Sequence, residues 1–121
     1  MKTLLIAIVS IALSVAAQFS LKAGMSSESI KQAMNQSFTL RTFLAILTEK
    51  YVLGGFLLYG LGAIVWLGVL SKWNVSKAYP LVGLGFVFTV VVGFLTGEQV
   101  NLGRLTGVLL ICVGVFFVAR S

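Results

Sequence analysis

Ala78-Tyr79-Pro80-Leu81-Val82-Gly83-Leu84-Gly85 opens the third long apolar run of the chain. A proline and two glycines interrupt a segment otherwise apolar enough to cross a bilayer. In water such a helix would break, because proline lacks an N–H and its ring crowds the preceding turn. In lipid it survives, because neighbouring helices re-satisfy the freed backbone groups. Membrane helices tolerate Gly and Pro more than soluble ones do, so the stretch has a bland reading. The other reading is a weakened spanning helix, as a carrier needs and an anchor does not. On that reading Pro80, Gly83 and Gly85 are hinge candidates.

The composition supplies the setting. Of 121 residues, 59% are hydrophobic and 10% are charged, with mean hydropathy +1.06. A soluble domain carries about 25% charged residues. This chain cannot cover itself with polar surface, so the expected fold is all-α and polytopic in a membrane. Residues 1–121 are read as a single membrane domain with no separate soluble unit. Nine Lys and Arg face three acidic residues, a net charge of +6. In a membrane protein that excess speaks of anionic headgroups. No basic run interleaved with aromatics points to nucleic acid. One cysteine, Cys112, allows no internal disulfide, and there is no histidine. Metal ligation and histidine acid–base chemistry therefore have little to work with, and no cofactor is expected.

Four spans follow from the apolar runs. The first is expected at about residues 2–23. Lys2 and Val15-Ala16-Ala17 imitate a signal peptide, but apolarity continues through Phe19 and Leu21, and three more spans follow. In this helix Ala7, Ser10, Ser14 and Ala17 recur at spacings of three and four, a small-residue stripe that admits a close neighbour. Ser14, Gln18 and Lys22 are four apart and stack on one face. Polar groups at membrane depth turn toward protein or water. Ser14 and Gln18 serve either as interhelical hydrogen-bonding groups or as a path lining. Lys22 is either part of that path or a snorkelling anchor.

Residues 24–50 form the long connection. Ile30, Ala33 and Met34 share a helical face and suggest a short helix there. Leu40, Phe43, Leu44 and Leu47 then follow the i, i+3, i+4, i+7 pattern. At about 38–48 this segment is too short to span and reads as an interfacial amphipathic helix. The alternative is a mere extension of the second span, expected at about 51–70. That span carries Gly54, Gly55, Gly60, Gly62 and Gly68, and Trp66 and Trp73 lie near its end, where interfacial aromatics belong. The third span is expected at about 75–95, with Lys77 and Tyr79 near its start and Gly93 and Gly97 in GxxxG spacing. The fourth, at about 102–119, has Gly103, Gly107 and Gly114 on similar faces, read as a packing or dimer seam. Glu98 and Arg104 flank the last turn and are expected to pair across it. Four spans leave both termini on one side. That side carries Lys2, Lys72, Lys77 and Arg120, and the other carries Lys22, Lys31, Arg41, Lys50 and Arg104. Four against five sets no orientation.

Chemistry is sparse. No phosphate-cradling loop or nucleophile–base pair is present, which argues against an enzyme. Glu28 and Glu49 fall in the long connection and Glu98 at a turn, so no acid lies mid-span. Proton-coupled carriers of cations need an embedded carboxylate. What lies near the hydrophobic boundary is positive: Lys22, Lys77 and Arg104. Fixed cations suit a phosphate.

Four short spans, a Lys ending the first, Ala78-Tyr79 in the third and Leu110-Ile111-Cys112-Val113-Gly114-Val115 in the fourth resemble the small multidrug resistance transporters of the drug/metabolite transporter superfamily (EamA-like). That family's first-helix glutamate falls on Ser14 here. A closer resemblance is to the small subunits of the aminoarabinose-phosphoundecaprenol flippase of the bacterial inner membrane. It rests on Ser14-Val15-Ala16-Ala17-Gln18 with Lys22, on Ala78-Tyr79-Pro80-Leu81, and on Glu98, Gly107 and Gly114. The resemblance implies a multi-pass inner-membrane transporter that flips a polyprenyl-phosphate-linked sugar. Ser14, Gln18, Lys22, Lys77 and Tyr79 would serve as substrate contacts, with Glu98 and Arg104 at one mouth. The partner would be a second copy or a similar small subunit. The competing readings are a small-cation exporter, which needs a titratable embedded group, and an accessory subunit of a glycosyltransferase system.

Overall fold

A computed structural model describes residues 2–36 and 39–121. Four of its helices are long and apolar enough to cross a membrane, and no strand occurs among the described residues. Helix α1 (Lys2–Met25) is followed by the short helices α2 (Glu28–Met34) and α3 (Leu40–Thr48). Helix α4 (Lys50–Leu70) returns antiparallel to α1. The third span is α5 (Val75–Ala78), a 3-10 segment (Tyr79–Gly83) and α6 (Leu84–Leu95), and α7 (Leu102–Arg120) closes the chain.

Small residues set the packing. The closest pairing joins α1 to α4. Ala7 and Ala17 of the small-residue stripe are fully buried. Across from them a Cβ on Gly55 would lie 3.1 Å from the Ala17 carbonyl oxygen, and one on Gly62 3.3 Å from that of Ser10. Backbones this close need glycine on one side and a small side chain on the other. The remaining core runs along α1, where Ala7, Ile11 and Val15 meet Val69, Ala78, Leu81 and Val115. Helix α7 is the least engaged span, with only 6% of its apolar window buried. Gly107 and Gly114 have nothing within 4 Å of where a Cβ would stand, so that face is open in the single chain.

The connection between the first two spans resolves into two helices. Ile30 of α2 is buried, as its shared face with Ala33 and Met34 predicts. Phe38, the expected first residue of the amphipathic segment, lies outside the described residues. Helix α3 is separate from α4. The backbone is extended at Glu49, whose side chain accepts hydrogen bonds from the N–H groups of Tyr51 at 2.8 Å and Val52 at 2.9 Å. A carboxylate there satisfies donors that the first turn leaves unpaired and favours the positive helix end. The alternative of one continuous helix is thereby excluded. Leu40, Phe43 and Leu44 stay exposed on α3 while Thr42 is buried.

The third span is not uniformly α-helical. At Pro80 the backbone tightens into the 3-10 form for about one turn before α6 begins. Proline has no N–H to return to the carbonyl four residues back, and 3-10 turns are the usual local repair. The Gly93/Gly97 spacing is not a packing motif. Gly97 has φ of +99° and ends α6, with the Glu98 N–H reaching the Gly93 carbonyl at 2.8 Å. That wrap-back satisfies carbonyls otherwise orphaned at a helix end, and the left-handed turn favours glycine.

A membrane-depth cleft with a neutral polar floor

Between α4 and the third span lies a cleft of about 540 Å³, floored by α1. Ser10, Ser14 and Gln18 of α1 line it, each one turn from the next. Helix α4 contributes Tyr59, Ala63 and Trp66. The third span contributes Tyr79, Val82, Gly85, Phe86 and Thr89. Gly85 lets that span sit close to the floor, since a Cβ there would stand 3.3 Å from Ile11. Ser14 is midway along α1, twelve residues from its first residue and eleven from its last. At 1.5 Å per residue, either end is about 17 Å away. The cleft is therefore centred at mid-membrane depth, where carriers hold their substrates.

The hydrogen bonds define what the cleft offers. The buried Ser10 hydroxyl donates to the Gly62 carbonyl at 2.6 Å and ties α1 to α4. The Ser14 hydroxyl donates to the Ser10 carbonyl at 3.1 Å, and that of Thr89 to the Gly85 carbonyl at 2.7 Å. Their protons are committed to backbone, so both oxygens face the cleft as acceptors. The Gln18 amide donates to the Tyr59 hydroxyl. That leaves the Gln18 carbonyl as a further acceptor and the Tyr59 O–H as a donor. No buried side-chain polar atom lacks a partner among the described residues. The cleft holds amide, hydroxyl and aromatic groups, and no charge.

The charged groups lie outside it. Of the residues singled out in the sequence, Ser14, Gln18, Tyr79 and Gly85 line the cleft. Lys22 is exposed one turn beyond Gln18, about 12 Å along α1 from Ser14. The Lys77 ammonium stacks over the Trp73 ring at 4.6 Å, on the opposite rim. Pro80 belongs to the 3-10 segment, and Gly83 turns toward α7, where a Cβ would stand 2.8 Å from Ile111. The expected Glu98–Arg104 pair does not form. Arg104 donates instead to the Gln99 carbonyl at 2.9 Å, while the Glu98 carboxylate rests against Gly93, which has room for it only because it lacks a side chain. Asn101 caps α7 by accepting from the Arg104 N–H at 2.8 Å, so the turn is held by a cap and a carbonyl rather than by an ion pair.

The cleft adds residues that the sequence reading passed over. Tyr59 and Thr89 are hydroxyl-bearing residues in the middle of spans, a signal in its own right. Trp66, near the end of α4, is also a cleft wall.

The molecule is thus a small helical membrane bundle with a polar, carrier-like cleft. Comparison with known proteins agrees with that class. The chain is 44% identical over 63 residues to a probable 4-amino-4-deoxy-L-arabinose-phosphoundecaprenol flippase subunit, ArnE, of Pseudomonas savastanoi pv. phaseolicola, a match covering 51% of this chain and 55% of the relative. It is 41% identical over 63 residues to the protein of that name from Pseudomonas aeruginosa, with the same coverage. An uncharacterised protein of Sinorhizobium fredii, y4nH, is 37% identical over 77 residues, 62% of this chain and 65% of the relative. The chain thus spans a little over half the length of the flippase subunits it matches. No family model matches, and no solved structure does.

Proposed function

We infer that this chain is a subunit of a flippase that moves a polyprenyl-phosphate-linked sugar of the undecaprenyl-phosphate aminoarabinose type across the bacterial inner membrane. The observation that carries the reading is the neutral polar cleft at mid-depth between two cationic rims. The isoprenoid tail stays among the acyl chains. The sugar enters the cleft and exchanges water for Ser14, Gln18, Tyr59 and Thr89, while Lys22 or Lys77 meets the phosphate at either rim. The similarity to named flippase subunits supports the same assignment. The chain acts as one membrane unit, with α3 lying at the headgroups. Four helices leave the cleft open on one side, and a second copy or a similar small subunit closes it, α7 offering its bare glycine face as the seam. The arrangement does not favour export of small cations, because all three carboxylates lie away from the cleft.

The test is translocation in proteoliposomes. A fluorescent polyprenyl-phosphate sugar should cross with wild-type protein. Gln18→Ala and Lys22→Ala variants, inserted normally, should each lose most of that activity. Full activity in both would remove the basis of the assignment.

A further inference from the structure

We propose that Glu98 sets the specificity of this flippase: at the mouth that also carries Lys22, its carboxylate receives the amino group of the sugar while Lys22 holds the phosphate. This rests on the flippase reading and deepens it.

The placement follows from two helices that run the same way. Helices α1 and α6 are separated by the single return of α4. Gln18 is the last residue of α1 to line the cleft, and Thr89 the last of α6. Lys22 stands one turn beyond Gln18 and Gly93 one turn beyond Thr89, each about 6 Å further toward the same side. Phe86, Thr89 and Gly93 recur at spacings of three and four, so Gly93 continues the face of α6 that walls the cleft.

Gly93 offers no side chain there, and the Glu98 carboxylate takes the place of one. A Cβ on Gly93 would stand 2.9 Å from Glu98 Oε1 and 3.2 Å from the carboxyl carbon. Backbone delivers it. Gly97 reverses the chain with φ of +99°, and the Glu98 N–H donates to the Gly93 carbonyl at 2.8 Å. The turn therefore holds without the carboxylate. Arg104, its expected partner, is engaged with the Gln99 carbonyl at 2.9 Å. An acid and a base, both exposed, then extend the cleft from two different helices at the same mouth.

That pair matches a zwitterion. A 4-amino sugar joined through its first carbon to phosphate carries cation and anion on opposite sides of one ring. The ammonium donates charge-assisted hydrogen bonds to a carboxylate. Recognition at the mouth also leaves it partly hydrated, which full burial would not.

Three lipids compete with a fluorescent polyprenyl-phosphate arabinose for the chain in nanodiscs: polyprenyl phosphate carrying 4-amino-4-deoxyarabinose, the same lipid carrying arabinose, and bare polyprenyl phosphate. The amino lipid should bind about fivefold more tightly than the arabinose lipid, the worth of one charge pair at a wet mouth. Glu98→Gln should erase that ratio and leave the arabinose lipid's affinity unchanged. Gly93→Ala keeps the charge but fills the seat of the carboxylate, and should at least halve the ratio. Equal or weaker binding of the amino lipid by the wild type, a ratio that survives Glu98→Gln, or one untouched by Gly93→Ala would each overturn the proposal and leave the flippase reading standing. So would a Glu98→Gln protein that loses both sugar lipids equally, which would make Glu98 a part of the turn. A Glu98→Gln protein changed only in subunit association, read by single-molecule co-localisation, would overturn it too, because the carboxylate would then serve a neighbouring subunit. Failure of both sugars to improve on bare polyprenyl phosphate would overturn the flippase reading as well.

Discussion

Valine at Gly55 and valine at Gly107 should have opposite consequences, although both glycines sit in apolar helices at small-residue spacing. At Gly55 a Cβ would stand 2.7 Å from the Leu21 Cγ and 3.1 Å from the Ala17 carbonyl oxygen. Carbon atoms in comfortable contact are about 3.5–4.0 Å apart, so Leu21 must move by about 1 Å and the Ala17 carbonyl must give by a few tenths of an ångström. Leu21 can swing aside, but the Ala17 backbone cannot. Overpacking of this kind costs about 1–3 kcal/mol, and valine's two further methyls place Gly55→Val toward the upper end. At Gly107 nothing stands within 4 Å, and an unobstructed surface change is worth within about 0.5 kcal/mol either way. Unfolding by dodecyl sulfate in monomeric detergent micelles, followed by circular dichroism, compares the two directly. Gly55→Val should unfold at clearly lower denaturant and Gly107→Val at the wild-type midpoint. Equal shifts, or the larger shift at Gly107, would show that the α1–α4 seam is not what holds the single chain together.

Other outcomes can be checked alongside. Gly107→Val should weaken self-association or pairing with a similar subunit, read by single-molecule co-localisation in bilayers, if α7 is the seam. Pro80→Ala restores an N–H where the third span tightens, and should leave lipid binding intact while slowing translocation several-fold; an unchanged rate would remove the hinge role. Glu49→Gln keeps the shape of the α4 cap but removes the carboxylate charge at the helix end, a loss of about 0.3–1 kcal/mol, visible as faster amide exchange at Tyr51 and Val52. Lys22→Ala should weaken binding of the phosphate-headed lipid more at low salt than at high salt, because an exposed charge is screened; a salt-independent loss would point to packing instead.

Much of the architecture was legible because a bilayer leaves backbone few options. Apolar runs marked the four spans, and Ala7, Ser10 and Ala17 marked the face that α4 approaches. Local chemistry was harder to read. Glu49 is not among the preferred capping residues, so the break between α3 and α4 could not be separated from a continuous helix. Gly97 shares the spacing of a packing motif, and only its left-handed backbone shows it to be a helix end. Lys22 falls on the same stripe as Ser14 and Gln18, but two turns of helix carry it out of the cleft, a distance that face-matching ignores. Trp66 lies near the end of α4, as the rule for interfacial aromatics expects, and its part in the cleft wall was not legible from that position. Tyr59 and Thr89 went unnoticed because single hydroxyls inside apolar runs usually satisfy themselves on backbone, as Thr89 indeed does while still presenting an acceptor.

The most direct measurement asks whether a headgroup occupies the middle of the bundle. In a Cys112→Ser background, Ser14→Cys places one thiol on the floor of the cleft. A small hydrophilic thiol reagent should modify it, since Ser14 lines the open cleft, and saturating polyprenyl-phosphate sugar should slow that reaction several-fold while bare polyprenyl phosphate slows it less. A thiol that resists the reagent, or one that reacts at the same rate whether or not the sugar lipid is present, would contradict the account.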